Sequence, residues 1–127
     1  MELVAIVIVL ALVEFMGFSI AVGRARARYD VHAPATTGHP EFERYFRVHM
    51  NTLEQLVIVI PAMVIYAHFG NATIAAAAGL VFVISRLLYF RGYVADPKKR
   101  SLGFGVGWLA TAFLMAAALV SAIMSLL

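Results

Sequence analysis

Apolar residues run through this chain in four long stretches, each about the 20 residues that a helix needs to cross a bilayer core. The first extends from about Leu3 to Val22 and is interrupted only by Glu14. It is too long for the core of a signal peptide, has no basic start and shows no cleavage site before Arg24, so it reads as a retained helix. A polar stretch of about 24 residues follows, Gly23 to Phe46, with Pro34, Gly38 and Pro40 as breakers. The second span covers about Val48–Phe69 and ends at a tight Gly70–Asn71 turn. The third covers about Thr73–Tyr93, and Val94–Ser101 forms a loop containing Asp96–Pro97 and Lys98–Lys99–Arg100. The last span, Leu102 to Leu127, opens on Gly103, Gly105 and Gly107, a spacing suited to close helix packing. No strand precedes these glycines, so they are not a nucleotide loop. The pattern predicts an all-α, integral membrane four-helix bundle in up-down order, with helices at about 3–22, 48–69, 73–93 and 102–127.

Composition agrees with the pattern. The 127 residues leave room for a single domain, 1–127, and they are 63% hydrophobic and 13% charged. Soluble chains carry about 25% charged residues. The mean hydropathy is +0.90. Ten basic residues against seven acidic ones give a pI near 9.6, yet the basic residues flank apolar spans and form no stripe on a soluble face, which excludes a nucleic-acid partner. All ten lie in or beside the first and third loops, so the positive-inside rule puts those loops in the cytoplasm and both termini outside. Short loops and compact length fit a bacterial inner membrane. The absence of cysteine excludes disulfides and thiolate metal sites, so thiol chemistry would have to come from a bound substrate. His32, His39 and His68 are scattered and make no metal set.

Polar residues within the spans mark the candidate chemistry. The second span opens on Arg47, His49, Asn51, Glu54 and Gln55, and Arg47, Asn51 and Glu54 stack on one helical face at i, i+4 and i+7. In the third span Arg86, Tyr89 and Tyr93 share a face at i, i+3 and i+7, and Arg100 follows in the loop. Each set has a plainer reading: an Arg47–Glu54 pair at headgroup depth, tyrosines as interfacial anchors, and Arg100 as one charge of a cytoplasmic basic cluster. Together they surround one boundary layer on the cytoplasmic side. Their guanidinium groups suit carboxylates and Glu54 suits an amine, so the pocket fits a small net-anionic molecule with one amine.

Two stretches of sequence are also familiar as motifs. Thr36-Thr37-Gly38-His39-Pro40-Glu41-Phe42-Glu43-Arg44, continuing through Arg47, Asn51 and Glu54, resembles the signature of the MAPEG superfamily, membrane-associated proteins in eicosanoid and glutathione metabolism. Gly79-Leu80-Val81-Phe82, then Ser85 to Tyr93, with Arg100 beyond, is similar to the microsomal glutathione transferase and leukotriene C synthase branch, in a form suggesting a bacterial member. The resemblance spans essentially the whole chain. It implies a homotrimer that holds glutathione between subunits on the cytoplasmic side. Arg47, Asn51, Glu54, Tyr89 and Tyr93 of one chain would bind the tripeptide, with Arg86 and Gln55 in support, and Arg26 and His49 would come from the adjacent chain. Arg100 matches the arginine that faces the thiol. Ala27 stands where that branch often has a second arginine, Gln55 replaces a binding tyrosine, and Ala112 lies where a tryptophan covers the lipid tail. These departures argue against leukotriene synthesis and leave the acceptor open.

The implied activity is that of a membrane-bound glutathione transferase or glutathione-dependent peroxidase, used in detoxification. Its thiolate, stabilised by Arg100, would attack a hydrophobic electrophile or a lipid hydroperoxide arriving from the membrane lipids. Glu14 fits none of this. A mid-membrane carboxylate costs roughly 2.5–3.5 kcal/mol on insertion scales. It reads either as a protonated side chain hydrogen-bonded between helices or as the carrier of a small four-helix proton-coupled drug transporter. That transporter leaves the polar set of the second and third spans unused. A non-catalytic lipid-binding scaffold is the remaining alternative.

Overall fold

A computed structural model describes residues 1–127, the side chain of Pro97 excepted. The chain forms four long helices: α1 (Glu2–Tyr29), α2 (Pro40–Phe69), α3 (Ala72–Ala95) and α4 (Ser101–Leu126), with a 3-10 turn at Pro97–Arg100 leading into α4. All four are long and apolar enough to cross a membrane. They form an all-α, up-down bundle in which α2 and α3 each pack on both α1 and α4.

The helices outrun the apolar spans, most of all around the first loop. There α1 continues through Arg24, Arg26 and Arg28 to Tyr29, and α2 begins at Pro40, so the connection shrinks to Asp30–His39. Hydropathy marks where the hydrocarbon ends, whereas helix ends are set by caps. Alternating arginine and alanine in 24–28 are good helix formers. The helix stops only where Asp30 turns left-handed at φ 56° and returns its N–H to the Arg26 carbonyl. His39 then caps α2, its Nδ1 accepting from the Glu41 N–H at 3.2 Å, with Pro40 in the first turn where its missing donor costs nothing. Helices of 24–30 residues are roughly 36–45 Å long, which matches a bilayer with its headgroup layers. The Gly70–Asn71 turn falls as expected: Gly70 returns its N–H to Tyr66, and the Asn71 side chain accepts from the Ile74 N–H at 2.9 Å.

Small residues set the close approaches. A Cβ on Gly103 would lie 2.4 Å from the Tyr89 nitrogen and 2.9 Å from the Ser85 carbonyl oxygen, and one on Gly107 would lie 2.6 Å from the Ser85 hydroxyl. These two glycines therefore seat α4 directly on α3. Gly105 faces open space and does not share the role. Gly92 does the same for the turn, since a Cβ there would meet the Lys99 carbonyl at 2.6 Å. Arg44 ties the start of α2 to the end of α3 by donating to the Val94 carbonyl at 3.3 Å, so the two basic loops lie at one end of the bundle.

Candidate functional site

The site begins with a buried arginine. On α3, Phe82, Ser85, Arg86 and Tyr89 form the inward stripe, and Arg86 is only 1% exposed. A guanidinium so placed needs acceptors. Arg86 finds them on α2: it donates to the Asn51 Oδ1 at 2.8 Å and to the Thr52 Oγ1 at 3.1 and 3.3 Å. Thr52 is itself held, donating to the Val48 carbonyl at 2.8 Å. The guanidinium carbon also sits 4.2 Å from the Tyr89 ring centroid, a cation–π contact. Because Arg86 occupies the Asn51 carbonyl oxygen, the Asn51 amide NH2 remains as the donor this residue can offer a ligand.

Above this layer lies a cavity of about 420 Å³, lined by Arg47, Asn51, Tyr89, Arg100, Ser101 and Phe104. Its size falls in the range of small-molecule sites. The Tyr89 and Tyr93 rings stack with centroids 5.5 Å apart, and the Arg100 guanidinium lies 5.8 Å from the Tyr93 ring. Arg47 and Glu54 form the pair expected from their spacing, at 3.9 Å, with both side chains more than half exposed and free to engage other partners. Of the residues singled out in the sequence, Arg47, Asn51, Tyr89 and Arg100 thus converge on one cavity, with Glu54, Tyr93 and Arg86 beside or beneath it. Gln55 is half-buried on α2 and stands outside the cavity lining.

Arg26 and His49 lie elsewhere. Arg26 donates to the Ala35 carbonyl at 2.7 Å and lies over the Phe42 ring at 4.9 Å, while the His49 ring stacks on Phe15 with centroids 4.6 Å apart. Arg26 and Phe15 are three turns apart on one face of α1, and Phe42 and His49 are two turns apart on one face of α2. Both residues therefore belong to the α1–α2 face rather than to the cavity. One chain carries two separate parts of the polar set.

The chain is similar to known proteins over almost its full length. The MAPEG family profile matches residues 4–120. This chain belongs to the MAPEG family. An uncharacterized protein of Synechocystis is 44% identical over 117 residues, 92% of this chain and 85% of its own. Human microsomal glutathione S-transferase 2 is 41% identical over 102 residues, 80% of this chain and 69% of its own. Bovine leukotriene C4 synthase is 37% identical over 83 residues, 65% of this chain and 55% of its own. With four apolar helices and this membership, the MAPEG chain is an integral membrane protein.

One feature of this MAPEG chain escaped the reading of its sequence. Thr52 carries the buried cation with Asn51, and the signal for it was an arginine on the inward face of α3, which has to be met from the facing helix. Glu14, singled out in the sequence, has both its carboxylate oxygens buried without a hydrogen-bond partner among the described residues. The hydrogen bond across a helix interface expected for it is therefore not made within one chain.

Proposed function

We propose that this MAPEG protein is a membrane-bound glutathione transferase that can also act as a glutathione-dependent peroxidase. The observation that carries the proposal is the cavity bordered by Arg47, Asn51, Tyr89 and Arg100, with the exposed Arg47–Glu54 pair at its side. Glutathione has two carboxylates, one ammonium and a thiol. Arg47 binds a carboxylate, Glu54 the ammonium, and the Asn51 NH2 a backbone carbonyl of the tripeptide. The stacked Tyr89 and Tyr93 wall the site, and Gln55, outside the cavity lining, has at most a supporting place beside it.

Arg100 does the chemistry. A free thiol has a pKa near 8.5, so only a few per cent is ionised at neutral pH. A guanidinium within about 4–6 Å lowers that value, and a shift of roughly two units makes most of the bound thiol reactive. The thiolate sulfur then bonds to a hydrophobic electrophile, and the displaced group leaves with its electron pair or the adduct takes up a proton. With a lipid hydroperoxide, sulfur attacks the O–O bond and releases the alcohol. A second glutathione then converts the sulfenic acid to the disulfide, with loss of water.

Arg26 and His49, on the α1–α2 face, complete the site of a neighbouring copy in a homotrimer. The basic loops face the cytoplasm, both termini lie outside, and the membrane is a bacterial inner membrane. Glutathione titration by calorimetry tests the binding step. Wild type binds, and Arg47→Ala binds roughly ten- to a hundredfold more weakly, the loss of one charge-assisted hydrogen bond. Failure of wild type to bind overturns the proposal. It would favour a lipid-binding scaffold, or the small proton-coupled transporter to which the unpartnered Glu14 carboxylate lends its one point of support.

A further inference from the structure

Opposite the candidate site, α1 carries two more arginines with no role in that chemistry. Arg24 and Arg28 are four residues apart, so they stack on one side of the helix, about 200° around from Arg26. Both are exposed, and neither makes a hydrogen bond or ion pair among the described residues. The Arg28 guanidinium lies over the Tyr29 ring, 5.4 Å from its centroid. Glu41 accepts from the Tyr29 hydroxyl, Asp30 meets His32 at 2.9 Å, and Glu43 accepts from the Gly38 N–H at 3.4 Å. Glu41 is near enough to Arg28 to feel its charge, but among the described residues neither Arg24 nor Arg28 is held in a contact ion pair, and both head groups are open to an anion.

Below them the surface is concave. Arg24 and Arg28 line the mouth of a cavity of about 320 Å³ whose walls include Tyr45 from α2 and Phe90 from α3, and whose floor is Gly17, Ile20 and Ala21. A second, apolar groove of about 490 Å³ begins where the first ends. The two share Gly17, Ala21 and Phe90, and the second continues past Val13 and Leu87 to Leu10. Glu14 borders this groove, with both carboxylate oxygens buried away from its surface. From Leu10 to Arg24 is about 21 Å along the helix axis, the depth of one leaflet from headgroup to bilayer centre.

Gly17 keeps the groove continuous, since a Cβ there would meet nothing within 4 Å. Its missing side chain is unfilled space and not a helix contact. A cationic mouth at the headgroup layer above an apolar trough of leaflet length matches one amphiphile in charge, depth and polarity.

We propose that the α1–α3 groove is a binding site for an anionic phospholipid, with the phosphate held by Arg24 and Arg28 and one acyl chain lying along Ala21, Gly17 and Leu10. Phe90 and Leu87 of α3 cover the chain from the other side. The site is independent of glutathione binding, since it uses none of the cavity residues.

The test is lipid binding to the delipidated full-length protein in detergent, read by native mass spectrometry. Phosphatidylglycerol should bind about 30-fold more tightly than phosphatidylcholine of the same chain length, as two interfacial arginines would produce. Arg24→Gln/Arg28→Gln should erase that preference while leaving weak binding of both lipids. Gly17→Leu, whose Cβ starts in open space and whose branch projects into the trough, should weaken both lipids with the arginines intact. Inorganic phosphate and glycerol phosphate should compete only at far higher concentration than the lipid. Equal affinity for the two lipids, a headgroup preference that survives loss of both arginines, or no effect of Gly17→Leu would each overturn the proposal. So would free phosphate binding as tightly as lipid.

Discussion

Arg86 lies buried with its charge turned towards Asn51 and Thr52, and with Tyr89 beneath its guanidinium it holds two of the residues that line the cavity. Removing one acceptor leaves a buried donor unsatisfied, at about 1–3 kcal/mol. Thr52→Val keeps the shape and deletes the acceptor of two of the three bonds. It should destabilise the protein by that amount in detergent unfolding, and weaken glutathione binding because Asn51 is less firmly held. A variant as stable as wild type would show that Arg86 finds its partners elsewhere. Arg86 was visible in the sequence as a polar residue on a tyrosine-bearing face. Thr52 was not, because a threonine in an apolar helix carries no mark of the residue it faces.

At the level of the helices, the position of Arg100 depends on how closely α4 approaches α3. Gly103 and Gly107 bring the two backbones together directly below Tyr89, which puts the preceding turn and its arginine beside Tyr93. Gly103→Val should cost about 1–3 kcal/mol through overpacking. Gly105→Ala, facing open space, should be neutral or stabilise by about 0.5–1 kcal/mol. Equal effects from the two substitutions, compared by thermal unfolding, would remove the basis for a close α3–α4 seam. The number and order of helices were legible because four apolar runs admit few alternatives. The ends of α1 and α2 were not, since Arg24, Arg26 and Arg28 read as loop by hydropathy although arginine and alanine prolong a helix. Nor could the glycine spacing tell which of Gly103, Gly105 and Gly107 faces α3.

On the scale of the whole molecule, the proposed site is divided. Arg47, Asn51, Tyr89 and Arg100 border one cavity, while Arg26 and His49 sit on the α1–α2 face. Helical spacing alone grouped residues within each helix and could not assign them to sides of the bundle. If the two parts meet between copies, Arg26→Ala and Arg47→Ala should each bind glutathione poorly alone. Co-expressed, they should recover part of the binding, because a mixed trimer contains sites that take Arg26 from one variant and Arg47 from the other. Sites built within single chains would show no recovery. The sharpest measurement is an ultraviolet difference titration of the purified protein with glutathione, beside an Arg100→Ala variant. Activation by Arg100 predicts a thiolate band that saturates in the wild type and is lost in the variant while glutathione still binds. A thiolate band of equal size in the variant, or glutathione bound by the wild type as the neutral thiol, would contradict it.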